Sequence, residues 1–207
     1  MDIENQKEVW NAIADDWATW KTTSDPQVRE FVENANGNLL DVGCASGRNF
    51  AKTNAKIYGI DFSDKMIKLA EKHAKELGIK SECSVHDLLE CLEFKDDFFD
   101  EVICIAVLHC IPGEDKRKQV LREIYRVMNP GAKVLIKVWN KKNKKFIKKP
   151  KEKLIAWRDK GKRYYYFYDS SELRLELEDV GFKIVSLNSE EDGFQKQEIV
   201  VLCEKLQ

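Results

Sequence analysis

At 207 residues, 43% of them hydrophobic and with a formal net charge of −1, the chain is long enough to bury a core without disulfides or a structural metal. It holds no run of about 18 apolar residues, which excludes a spanning helix, and its polar, acidic start MDIENQKEVW has the character of neither a secretory nor a transit peptide. Its six cysteines (Cys44, Cys83, Cys91, Cys104, Cys110 and Cys203) form no C-x-x-C pair, so reduced thiols and a cytoplasmic location are expected.

The first element is a helical stripe of Trp10, Ile13, Trp17 and Trp20 at three- and four-residue steps. Such a stripe is either core or a lid. Pro26 suits the first turn of a short helix through Phe31. A regular alternation follows. Residues 38–42 read as a short strand, 47–54 as a helix and 57–60 as a strand. Ser63 caps a long helix over 64–77, ended by Gly78. The more polar strand 81–85 suits a sheet edge. Residues 99–107, continuously apolar from Val102 onward, bear the mark of a strand covered on both faces. An amphipathic helix at 115–128 is stopped by Asn129-Pro130-Gly131, and 133–139 is another strand. From Lys141 to Arg163 the local charge balance is +10, leaving −11 on the rest. That asymmetry fits either a polyanion-facing patch or a solvated lysine-rich loop. A helix at 171–180 and strands at 183–187 and 198–203 close the chain.

Alternating strands and helices imply a doubly wound α/β fold with a mainly parallel sheet. Ligands in such sheets sit at the carboxyl ends of the strands, near the point where strand order reverses. Leu39-Leu40-Asp41-Val42-Gly43-Cys44-Ala45-Ser46-Gly47-Arg48 runs from a strand into a small-residue turn. Its glycines permit sharp bending and close approach of a ligand. Asp61, ending the next strand, suits the two hydroxyls of a ribose. A dinucleotide or S-adenosylmethionine fits this much. Arg48 occupies the place of the last glycine of the dinucleotide fingerprint. Asp41 would repel a pyrophosphate but attract the ammonium of a methionine moiety. Both points favour S-adenosylmethionine.

Asp41-Val42-Gly43-Cys44-Ala45-Ser46-Gly47 resembles the first motif of the class I S-adenosylmethionine methyltransferases, with Ala45 replacing the middle glycine. Asp61 matches the ribose-binding acid of that class, Asp87 the polar residue that reads the adenine amino group, and Asn129-Pro130-Gly131-Ala132 the turn before the fifth strand. The resemblance implies a single Rossmann-like domain around a seven-stranded, mostly parallel sheet. The cofactor residues it implies are Asp41, Gly43, Cys44, Ala45, Gly47, Arg48, Asp61, Phe62, Asp87, Leu88 and Ala106. Residues 1–36 would cap the cofactor site, 37–140 form the binding core, 141–170 carry the basic insertion and tyrosine block, and 171–207 close the sheet.

Within that class, Ile105-Ala106-Val107-Leu108-His109-Cys110 and Arg163-Tyr164-Tyr165-Tyr166-Phe167-Tyr168, followed by Glu172-Leu173, resemble segments of the tRNA wobble-uridine carboxymethyl methyltransferases. Asn11-x-Ile13-Ala14 and Pro26-x-Val28-x-x-Phe31 match that family's N-terminal helices. Cys110 departs from a second histidine, and the arginine expected before Pro26 is absent, with Lys21 nearby. The resemblance implies methyl esterification of 5-carboxymethyluridine at position 34 of tRNA. A carboxylate is ionised at neutral pH, with a reference pKa of about 4, and needs positioning rather than a strong base. The substrate-site candidates are His109, Arg163, Lys21 and Tyr165, with Arg48 a further cation. Lys141, Lys142, Lys144, Lys145, Lys148, Lys149 and Lys162 would grip phosphates of the anticodon arm. Rings among Tyr164, Tyr165, Tyr166 and Trp139 would stack on the base, or serve as core. The resemblance also implies a small zinc-binding activator at the 81–85 edge, near Leu88, Leu89 and Leu92. The chain shows no metal-ligand cluster of its own. A small-molecule methyltransferase and a non-catalytic RNA-binding subunit are the competing readings.

Overall fold

A computed structural model describes residues 3–20, 22–188 and 197–206. Two helices, α1 (Gln6–Trp20) and α2 (Pro26–Glu33), precede β1 (Asn38–Val42), β2 (Lys56–Asp61), α3 (Asp64–Leu77), β3 (Ser81–Val85), β4 (Phe99–Ile105), α4 (Glu114–Val127) and β5 (Met128–Trp139). The chain continues through β6 (Glu152–Ala156), β7 (Lys162–Tyr166), α5 (Ser170–Val180), β8 (Phe182–Leu187) and β9 (Glu198–Lys205). Seven strands form one sheet in the order β3-β2-β1-β4-β5-β9-β8. All neighbours from β3 to β5 are parallel, and β9 runs antiparallel to both β5 and β8. This is the expected seven-stranded, mostly parallel α/β sheet, with β3 at its edge.

Strand periodicity explains the two cores. Successive side chains point to opposite faces. Leu40, Val42, Val102 and Cys104 therefore face one core, with Val120, Leu121 and Ile124 of α4 and Leu173 and Leu177 of α5. Leu39, Ile103 and Ile105 face the other, with Val28 and Val32 of α2 and Ile67, Ala70 and Ala74 of α3. Strand order reverses between β1 and β4, which leaves a crevice at their carboxyl ends.

Local chemistry sets the bounds of α3. Ser63 Oγ accepts the Met66 amide at 3.1 Å, and Gly78 ends the helix in the left-handed conformation at φ 67°. Ser63 Oγ also donates to Asn11 Oδ1 of α1 at 2.6 Å. Ser63→Ala removes both bonds. Its expected cost is about 1 kcal/mol, typical of a lost N-cap. The corresponding fall in melting temperature is about 2–4 °C for a domain of this size, read by thermal denaturation.

Three expectations need correction. Residues 47–54 form turns and no helix. Thr53 Oγ1 donates to the Ala35 carbonyl at 2.7 Å and accepts the Ala55 amide at 3.2 Å, bonding that competes with a helix. Asn129-Pro130-Gly131 does not separate α4 from a later strand. β5 already begins at Met128, paired with Phe99, and an irregularity in the ladder accommodates the turn residues. The basic segment is not one loop either, since β6 and β7 pair antiparallel within it.

Candidate cofactor and acceptor site

The turn after β1 is built from residues with little room for side chains. Gly43 has φ +66°, and a Cβ there would meet Val107 Cγ2 at 2.4 Å. Ala45 also takes a left-handed conformation, at φ 48°, which disfavours any residue with a Cβ. Its amide donates to Asp61 Oδ2 at 3.1 Å, while Asp61 Oδ1 accepts the Ser63 amide at 2.9 Å. The carboxylate ending β2 thus clamps the turn ending β1 and helps hold the alanine where a glycine would sit more easily.

A cavity of about 290 Å³ opens over this turn. Gly43, Cys44, Ala45, Arg48, Asp61, Phe62, Asp87, Leu88 and Ala106 all line it. Asp41 and Gly47 are buried and absent from the wall. Residues not anticipated as cofactor contacts also line it. They include Asn49, Val107, Ile111, Pro112, Asn5 just before α1 and, from α1, Gln6, Lys7, Trp10 and Trp17. The tryptophan stripe was the available signal for α1, because its rings are too large and too regularly spaced for a purely solvated face. Leu89 lines the cavity with Leu88, whereas Leu92 is core. These leucines therefore do not form an outward apolar face beside β3, where Val85 is the exposed apolar residue. Two wider clefts, of about 500 and 520 Å³, lie elsewhere. Their lysines are already committed: Lys118 to Glu114 and Asp179, Lys151 to Asp169 and Glu172, and Lys137 to Asp25 and Glu198.

Asp41 is fully buried on β1, and neither carboxylate oxygen has a hydrogen-bond partner of normal geometry among the described residues. Burial pushes its pKa up to about 8, against the pull of Arg48 and of the adjacent Asn49 side chain. Burial also raises Asp61 to about 6, opposed by the amides of Ser63 and Ala45. An orphaned buried carboxylate beside an open glycine turn fits a ligand that brings a positive charge. Asp87 Oδ1 accepts the Leu89 amide at 3.0 Å, which leaves its other oxygen available to a ligand. Cys110 also lines the wall, and burial lifts its thiol to about 12, so it is a neutral surface and no nucleophile.

The acceptor candidates behave differently from one another. Lys21 lies outside the described residues. His109 is 1% exposed and stands behind the wall, not on it, because the single 3₁₀ turn Leu108–Cys110 directs it beneath the end of β5. Its Nδ1 accepts the Trp139 amide at 3.1 Å, so the neutral ring carries its proton on Nε2. Burial lowers its pKa to about 3. Tyr164, Tyr165, Tyr166 and Tyr168 are all buried, so none is a surface for base stacking. Pairing of β7 with β6 turns them inward. Tyr168 donates to Glu176 at 2.8 Å, Tyr166 bonds Glu172, and Arg117 lies 4.1 Å over the Tyr166 ring, which joins the block to α4 and α5. Tyr165 stacks on Trp139 at 4.3 Å, in a layer with Phe146 and Phe167. Trp139 is thereby committed to that layer as well.

Arg48 and Lys7 line the cavity itself, and Arg163 lies just behind its wall, against Trp10 and Trp17. Its Nη1 donates to the Tyr165 hydroxyl at 2.6 Å. Its guanidinium carbon lies 4.7 Å from the Trp157 ring and 5.7 Å from Trp10 and from Trp17. It is 6% exposed, its Nε has no partner, and it forms no ion pair among the described residues. Of the seven lysines, Lys141 caps the carbonyls of Phe146 and Ile147. Lys142 sits in the charged cleft, Lys145 donates to Gln197, and Lys149 covers Phe146. Lys144, Lys148 and Lys162 are exposed. Among the described residues no group of three or more His, Cys, Asp and Glu side chains is arranged to hold a metal, and no helix is long and apolar enough to cross a membrane.

A family described as a methyltransferase domain matches residues 40–136. A protein of Encephalitozoon cuniculi named as a methyltransferase is 30% identical over 177 residues, covering 80% of each chain. The tRNA (carboxymethyluridine(34)-5-O)-methyltransferase of Arabidopsis thaliana is 31% identical over 134 residues, 63% of this chain and 31% of that one. The chain thus spans less than a third of the length of that relative. Among solved structures, a complex from Haloferax volcanii between the Trm112 methyltransferase activator and a methyltransferase superposes with a TM-score of 0.72 at 14% identity, covering 100% of both chains. At that identity the likeness is one of fold.

Proposed function

As the chain belongs to the class I S-adenosylmethionine-dependent methyltransferases, we propose that it esterifies the carboxylate of 5-carboxymethyluridine at wobble position 34 of tRNA, with a small zinc-binding activator as its partner. The cofactor, when bound, supplies a sulfonium methyl, which a carboxylate oxygen takes with its own electron pair. Asp41 holds the ammonium of the methionine moiety. Asp61 accepts the ribose hydroxyl hydrogens, with oxygens already oriented by two backbone amides. Asp87 accepts from the adenine amino group, and Phe62 and Leu88 flank the base. Gly43, Ala45 and Ala106 keep the backbone close to the ligand.

One observation carries the choice of acceptor. Arg163 is a buried guanidinium behind the cavity wall, against Trp10 and Trp17, and no carboxylate of the described residues pairs with it. A buried cation left without an anion costs several kcal/mol. An acceptor carrying its own carboxylate supplies that anion and is fixed where the methyl is delivered. The neutral, sequestered His109 accords with this chemistry, since an ionised carboxylate needs no general base. The exposed Lys144, Lys148 and Lys162 suit phosphates flanking such a base. The outer edge of β3 and the exposed Val85 are available to the activator. The fold likeness to the Haloferax volcanii complex supports a partner of that kind.

The test is methyl transfer to tRNA bearing 5-carboxymethyluridine, with and without a Trm112-type activator, followed by mass spectrometry of the nucleosides. Formation of the methyl ester is expected, and it should require the activator. Absence of ester from an enzyme that demonstrably binds the cofactor would overturn the proposal in favour of a small-molecule carboxylate acceptor.

A further inference from the structure

Four of the five tryptophans converge on one surface formed by α1 and the β6–β7 hairpin. Trp10 and Trp17 lie 5.1 Å apart, Trp17 and Trp157 5.7 Å, and Trp20 and Trp157 5.4 Å, measured between ring centroids. None is buried, and Trp20 is 63% exposed. A contiguous aromatic surface of this kind is unfavourable in water and marks a binding site. Its geometry is held in advance. Asp16 of α1 accepts the Trp157 indole N–H at 3.2 Å and pairs with Arg158 and Lys160 within the hairpin turn. The floor of the cluster is the unneutralised guanidinium of Arg163.

We propose that Trp17, Trp20 and Trp157 form the socket that stacks the acceptor nucleobase, with Arg163 beneath to receive its anionic substituent. This rests on the tRNA reading above and names the residues that recognise its base. An RNA base is favoured over a protein surface because the cluster combines aromatic faces with a guanidinium that has no ion-pair partner among the described residues, which an apolar peptide would leave unpaired. Aromatic faces hold a splayed base without reading its edge. The guanidinium without an ion-pair partner selects bases carrying a carboxylate. Trp10 and Trp17 also line the cofactor cavity, so a base seated on the cluster presents its substituent at the cavity mouth.

The experiment is steady-state methyl transfer by the activator-bound enzyme on tRNA bearing 5-carboxymethyluridine, using Trp20→Leu, Trp20→Phe and Trp157→Leu. Trp20 is exposed, so its replacement spares the fold. Loss of a stacking face should raise KM for tRNA about tenfold in Trp20→Leu. Trp20→Phe should remain within about threefold of wild type, and cofactor affinity should be unchanged. Titration with the anticodon stem-loop should quench tryptophan fluorescence, and less so in Trp20→Leu. Wild-type KM in both leucine variants overturns the socket while leaving the tRNA reading intact. So does weakened activator association at unchanged KM. A wild-type enzyme that makes no ester overturns both.

Discussion

Asp41→Asn is expected to flatten the dependence of folding stability on pH between about 4 and 8 and to weaken cofactor binding by roughly 10–100-fold, the range for loss of a hydrogen bond to a charged group. The sign follows from burial. The folded chain keeps the Asp41 proton up to about 8, whereas the unfolded chain releases it around the ordinary value of 3.8. The folded state therefore holds the extra proton across that interval. Stability is fully present at acid pH and declines by about 1.4 kcal/mol per pH unit as pH rises toward the folded value. Asp61 adds a decline of the same sign over the narrower interval up to about 6. The variant loses the Asp41 contribution and should be the more stable protein at about pH 8, as read by chemical denaturation across pH. The cofactor's ammonium reverses the balance by stabilising the ionised carboxylate. Binding below about pH 8 should therefore release a proton, which calorimetry in buffers of different ionisation enthalpy detects. Binding without proton release, at an affinity equal to that of the variant, would remove Asp41 from the cofactor site.

Arg163→Met should separate binding from chemistry. A cation beside the acceptor carboxylate stabilises the negative charge of the bound substrate. That charge diminishes as the new C–O bond forms, so the attraction is weaker in the transition state than in the ground state. The main loss should fall on KM for tRNA, about 10–100-fold, from one charged hydrogen bond, with a smaller change in kcat. Folding stability should barely move. Removing an uncompensated buried cation is favourable, and the lost contacts with Trp10, Trp17, Trp157 and Tyr165 offset that gain. A fall in kcat at unchanged KM would assign Arg163 to the transition state instead. A large loss of melting temperature would assign it to structure.

Features governed by short-range chemistry were legible in the sequence. Ser63 and Gly78 bound α3 because a hydroxyl cap and a left-handed glycine act within one helical turn. The small residues of 43–47 and Asp61 lie together because β1 and β2 are adjacent parallel strands. Features that depend on distant partners were not. The tyrosine block reads equally as stacking surface or as core until the pairing of β6 with β7 places it inside. Trp157 is unremarked among lysines in the sequence, and its ring is fixed beside α1 by residues about 140 positions away, Asp16 through a hydrogen bond and Trp17 and Trp20 through ring contacts. Residues 47–54 carry no local signal against a helix, because the Thr53 hydroxyl finds its acceptor at Ala35.

The bonds that seat α1 also set the order in which the molecule can be completed. Gln6 donates to the Lys162 carbonyl and accepts the Tyr164 amide, across 156 and 158 residues of chain. During synthesis α1 leaves the ribosome long before the hairpin exists. At about 5–20 residues per second the delay is roughly 10–30 s. Through that interval α1 can dock on α3 through Asn11, but its tryptophan face lacks the hairpin it packs against. The wall that α1 contributes is thus among the last parts of the cavity to close.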